Sequence, residues 1–167
     1  MKPLAIASIA CFALLTQIAP AQSHRTGDDN PDVIAIRQYR LTMDKVDKLA
    51  AATDQMNKLR AANPELKKRM DASGDDAKTI DQKVANIDTK FPEAVAVLRA
   101  NGLSTRDYIM VSLAFMNDMI MVGSKKSGMI KEYPPNSITP ENIAFCEQNY
   151  DKLKQIGDKL SPPDSEQ

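Results

Sequence analysis

Residues 104–123 read STRDYIMVSLAFMNDMIMVG, the most continuously apolar run beyond the N-terminal segment. On an α-helix, Tyr108, Ile109, Val111, Ser112, Leu113, Phe115, Met116, Met119, Ile120 and Val122 fall on one sector of roughly 200°. A helix at the surface of a domain needs a much narrower apolar face. The remaining sector collects Arg106, Asp107, Met110, Ala114, Asn117, Asp118 and Met121, which predicts a helix buried on most sides and wet along a narrow strip. The run from Tyr108 to Val122 falls short of the about 20 apolar residues that span a bilayer, and it contains Ser112, Asn117 and Asp118. The expectation is an all-α protein, a helical bundle of four to six helices around this central apolar helix.

Working outward to the N-terminus, residues 1–21 carry one charge, Lys2, then an apolar core from Leu4 to Leu15, then Ala19-Pro20-Ala21. That order reads as a secretory signal peptide with a small-x-small cleavage site, and it places the protein in the periplasm or outside the cell. Ser8 stands where a lipoprotein motif has Leu, which argues against lipidation at Cys11. Residues 22–38 read as a flexible leader, 39–160 as one helical domain and 161–167 as a disordered tail. Losing Lys2 from 22 Lys plus Arg, against 22 Asp plus Glu, leaves a net charge of about −1. With no block of like charge, nucleic acid and anionic lipid are excluded as electrostatic partners. Cleavage leaves Cys146 as the one thiol, which is either buried and inert or paired between chains; its shared face with Ile143, Tyr150, Leu153 and Leu160 favours burial.

The flanking elements read as helices from their caps and periods. Asn30-Pro31 starts a short turn whose DVIAI segment is an apolar handle for docking. Thr42 caps a helix with the stripe Met43, Val46, Leu49, Thr53 and Met56, stopped by Asn63-Pro64. A short exposed helix follows, then a Ser-Gly-Asp-Asp turn at 73–76. Ile80, Val84 and Ile87 mark the next helix, Phe91-Pro92 interrupts it, and Asn101-Gly102 closes the one after. Thr139-Pro140-Glu141 opens a last helix that runs to Leu160. At LTMDKV (41–46), PEAVAVLRANGLSTRDY (92–108) and TPENIAF (139–145) the chain resembles small exported bacterial all-helical proteins of unknown function. The resemblance implies export and a helical fold, and it carries no catalytic residue across.

Chemistry-bearing patterns are few. The single histidine, His24, lies in the leader, so a nucleophile–histidine pair, an H-E-x-x-H zinc site and a haem attachment motif are missing from the sequence. Gly123 to Gly128 matches the glycine spacing of a phosphate loop, but Met129 and Ile130 stand where Lys and Ser or Thr belong. The stretch 71–76 fails as a calcium loop because Gly74 is at its fourth position and Gln82 replaces the bidentate Glu. Methionine is the sharper signal: Met116, Met119 and Met129 are candidate soft ligands for Cu(I), against the reading of methionine as core filler. Asp107 and Asp118 share the polar strip but lie about 16 Å apart along the axis, too far for a carboxylate pair. Arg106, Asp107, Ala114, Asn117 and Asp118 remain as an interaction strip, facing either water or a second helix, including one from another subunit. The sequence therefore points to a non-enzymatic binding or interaction module without a cofactor, for a protein or a small apolar ligand. The alternative is a methionine-dependent copper-handling protein.

Overall fold

The computed structural model describes residues 30–73 and 77–160. The signal segment and its cleavage site, Cys11, His24, the rest of the leader to residue 29, Gly74 to Asp76 and the tail 161–167 lie outside the described residues. All elements of the described residues are helical: α1 (Pro31–Gln38), α2 (Met43–Ala62), α3 (Pro64–Ala72), α4 (Ile80–Lys90), α5 (Pro92–Ala100), α6 (Thr105–Lys126), α7 (Pro140–Gln148) and α8 (Tyr150–Leu160).

Side-chain caps set most of the starts. The Oδ1 of Asn30 accepts from the Asp32 amide at 3.0 Å, Asn63 from Leu66 at 3.0 Å, Thr79 from Gln82 at 3.2 Å and Ser104 from Asp107 at 3.0 Å. Each such cap contributes about 1 kcal/mol by satisfying an amide that the helix leaves unpaired. Proline follows the cap at α1, α3 and α7, and it also opens α5, where its missing N–H costs nothing. The same prolines make the breaks, because the residue before a proline is driven out of the helical region: Asn63 sits at φ −132°, ψ 87° and Phe91 at φ −134°, ψ 62°.

Three elements depart from the expected layout. Against the four to six helices expected, the described residues form eight, partly because the last one divides at Asn149, whose Nδ2 donates to the Phe145 carbonyl at 2.8 Å and competes with the backbone ladder. Residues 31–38, expected within the flexible leader, form α1, and the Asp32 carboxylate accepts from the Ile80 amide at 2.9 Å, capping α4 from a distance in sequence. Finally, α6 continues past Gly123 to Lys126. It ends at Gly128, φ +75°, with the Met129 amide on the Ser124 carbonyl at 2.9 Å and the Gly128 amide on Lys125 at 3.1 Å, the paired bonds of a left-handed C-terminal cap. The glycine-spaced stretch 123–128 is therefore a helix C-terminus, the wrong pole for a phosphate.

Helix α6 packs against α1, α2, α4, α5, α7 and α8. Its Val111, Ala114, Phe115 and Val122 enter one apolar cluster with Leu41, Val46, Leu49, Cys146, Leu153, Ile156 and Leu160. Its Ile109 and Met110 enter another with Ile80. A third cluster joins α2, α3 and α5 through Met56, Leu66, Met70, Phe91, Ala94, Leu98 and Leu103. No helix of the described residues is long and apolar enough to cross a membrane.

Candidate functional site

The strip on α6 is engaged within the chain. Arg106 pairs with Asp81 of α4, and Asp107 accepts from the Ser104 hydroxyl at 2.6 Å while its charge raises the Tyr39 phenol, already lifted by burial, to about 12. Ala114 is fully buried in the first cluster. Asn117 donates to the Ser137 carbonyl at 2.9 Å and to Asp118 at 3.0 Å. Asp118 itself has 0% of its surface exposed. The expected wet strip is thus corrected at Met110, Ala114 and Asp118, which are buried, while Ile120, assigned to the apolar sector, is 54% exposed. The chain's own α7 and the loop before it meet the Asn117–Asp118 end of the strip, and α4 meets the Arg106 end.

Asp118 is the centre of a buried polar knot. Asn142, at the third position of α7 and 1% exposed, donates from Nδ2 to Asp118 at 2.7 Å and to the Tyr39 carbonyl at 3.0 Å. Its Oδ1 accepts from the Leu41 amide at 3.0 Å. One asparagine so uses both amide hydrogens and its oxygen, tying α6, α7 and the α1–α2 connection together. Burial pushes the Asp118 carboxyl up to about 6, against the pull of hydrogen bonds from Asn117 and Asn142. The Cys146 thiol, fully buried, is lifted to about 12 by burial and then by the charge of Asp118. A thiol so placed is a poor nucleophile at neutral pH. Asp118 exposes no surface to solvent, and its bond from Asn142 ties α6 to α7.

The methionine candidates differ in burial. Met119 packs against the first cluster, Met116 is half-buried, and Met129 is 75% exposed beyond the cap of α6. No group of three or more His, Cys, Asp or Glu capable of holding a metal occurs among the described residues.

A different place has the form of a ligand site. A cavity of about 130 Å³ lies between α2, α3, α4, α5 and the start of α6. Thr53, Met56, Asn57 and Arg60 line it from α2, and Lys83, Asn86, Ile87 and Lys90 from α4. Both sets follow the i, i+3, i+4, i+7 spacing of one helical face. Met70, Phe91, Ala94, Leu98, Tyr108 and Ile109 supply most of the apolar wall. Period counting passes over this site because the α4 row is mostly polar, and the apolar count selects Ile80, Val84 and Ile87, of which Ile87 alone lines the cavity. The available signal is the pairing of a Met-containing apolar stripe on α2 with two lysines seven residues apart on α4. Comparison with protein-family models, curated proteins and solved structures finds no match, so the site's own geometry carries the functional reading.

Proposed function

We propose that the chain is an exported, non-enzymatic binding module, a helical bundle organised around α6, that holds a small apolar ligand between α2, α4 and α5. The observation that carries this reading is the cavity of about 130 Å³ walled by Met56, Met70, Phe91, Ala94, Leu98 and Ile109. An apolar cavity of about 150 Å³ in another protein stays dry and takes up benzene, so this volume suits a guest of one-ring size. Methionine and aromatic walls adapt to such guests with little loss of packing. Export rests on the character of residues 1–21, and the non-enzymatic reading on the lack of a catalytic set in the sequence and on the unreactive Cys146 thiol. The copper alternative rests on Met116, Met119 and Met129, of which Met129 is exposed and Met119 packs on the first cluster.

Native mass spectrometry of the protein taken from its own compartment is expected to show a retained small molecule. Toluene at about 100 times its dissociation constant should raise stability by about 2.7 kcal/mol. A bare mass together with an unchanged melting curve would remove the reading.

A further inference from the structure

We infer that Asn101 is a site of chemical modification, deamidated to aspartate or isoaspartate through its neighbour Gly102 at the moments when the end of α5 comes off α2. The inference stands apart from the binding reading above. Its ground is a reactive dipeptide joined to a device that restrains it. Asparagine followed by glycine is the pair most prone to this reaction, because glycine puts no side chain in the path of its own backbone nitrogen, and Gly102 is exposed. The step needs only water. The Gly102 nitrogen loses its proton to hydroxide and bonds to Cγ of Asn101; the Cγ–Nδ2 bond breaks, and Nδ2 takes a proton from water and leaves as ammonia. Water then opens the five-membered imide at either carbonyl, giving aspartate or, with the backbone rerouted through Cγ, isoaspartate.

The folded chain holds both reactants. The Gly102 amide donates to the Arg99 carbonyl at 3.0 Å and the Leu103 amide to the Leu98 carbonyl at 3.0 Å, the paired bonds that close α5. Nδ2 of Asn101 donates to the Val97 carbonyl at 2.8 Å and to Oε1 of Gln55 at 2.9 Å, and Gln55 donates back to Oδ1 at 3.3 Å. Two side-chain amides so clasp α5 to α2. Attack on Cγ requires the Gly102 bond and the clasp to break together, and the rate follows the population of the opened cap. Conversion then keeps the cap loose. Aspartate lacks the Nδ2 donor that Val97 and Gln55 share. Isoaspartate lengthens the backbone inside the turn and pulls on Leu103, which is buried with Leu98 in the cluster of α2, α3 and α5.

The test incubates the full chain in mildly alkaline buffer, folded and in guanidinium chloride, and follows each asparagine by peptide mass spectrometry with isoaspartate resolved by chromatography. Asn136, exposed in its turn at φ +58° and followed by Ser137, serves as the internal clock. In denaturant Asn101 is expected to convert ahead of Asn136; in the folded chain it should slow by at least about tenfold. Gln55→Ala should speed Asn101 in the folded chain about fivefold, the factor of one hydrogen bond, and leave Asn136 unchanged. Gln55 is exposed on α2 and alanine is the better helix former, so the variant keeps the fold. Converted chains, once separated, should unfold at lower denaturant than unconverted ones. Asn101 still intact in folded Gln55→Ala when Asn136 has half converted overturns the site. Equal Asn101 rates in the wild type and the variant, or in folded and unfolded chains, overturn the restraint by the clasp.

Discussion

Asp118 is a residue whose ionisation bears on the fold. Its carboxyl titrates at about 6 in the folded chain, against 3.8 as the ordinary value, because burial penalises the charged form. The folded state therefore binds the proton more tightly than the unfolded state. That advantage is complete below pH 3.8 and is lost as the pH rises through about 6. Between pH 4 and pH 7 the wild type should lose about 2 to 3 kcal/mol on this account, and Asp118→Asn should lose less over the same range by that amount. Urea denaturation of both proteins across the range reads the difference, and parallel curves would refute the assignment. Nothing in the spacing of α6 distinguishes an aspartate facing water from one facing Asn142, because the partner that satisfies it lies 24 residues on, in another helix. That is why Asp118 and Ala114 read as part of a wet strip.

At the scale of the elements, sequence and structure agree where the determinants are local. Caps at Thr42 and Thr139, the breaks at Asn63-Pro64 and Phe91-Pro92, and the close at Asn101-Gly102 all depend on a few adjacent residues. They were legible for that reason. The end of α6 was not, since Gly123 is compatible with helix and the chain stops only where Gly128 supplies a positive φ. The cavity was equally hidden, because its walls come from five helices and only their packing brings Met56 to Lys83. Helix α8 gives a test of packing against propensity. A methyl group added at Gly157 would meet the Phe115 ring at 3.8 Å, ordinary contact, on a helix interior where glycine is the weaker former. Gly157→Ala should stabilise the protein by about 0.5 to 1 kcal/mol, seen as a raised denaturation midpoint with unchanged slope. A loss of stability would mean that α8 sits closer to α6 than the distance implies.

For the whole molecule, Cys146 is a built-in reporter. It is fully buried in the cluster that joins α2, α6, α7 and α8, so a thiol reagent reaches it only when these helices separate. Labelling in native buffer should be slower than in denaturant by the folded-to-unfolded ratio, on the order of a thousandfold or more for a domain of ordinary stability. Rapid native labelling would show that α7 and α8 detach without the rest of the fold.

The bonds of Asn142 also impose an order on biosynthesis. Leu41 and Tyr39 lie 101 and 103 residues before it. A polypeptide that grows from its N-terminus has both the connector and Asp118 in place before their common partner exists. Until residue 142 arrives, Asp118 has its bond from Asn117 but lacks the one from Asn142, and the Leu41 amide lacks its side-chain acceptor. The seventh helix thus completes the bonding of Asp118 and of the connection between the first two helices.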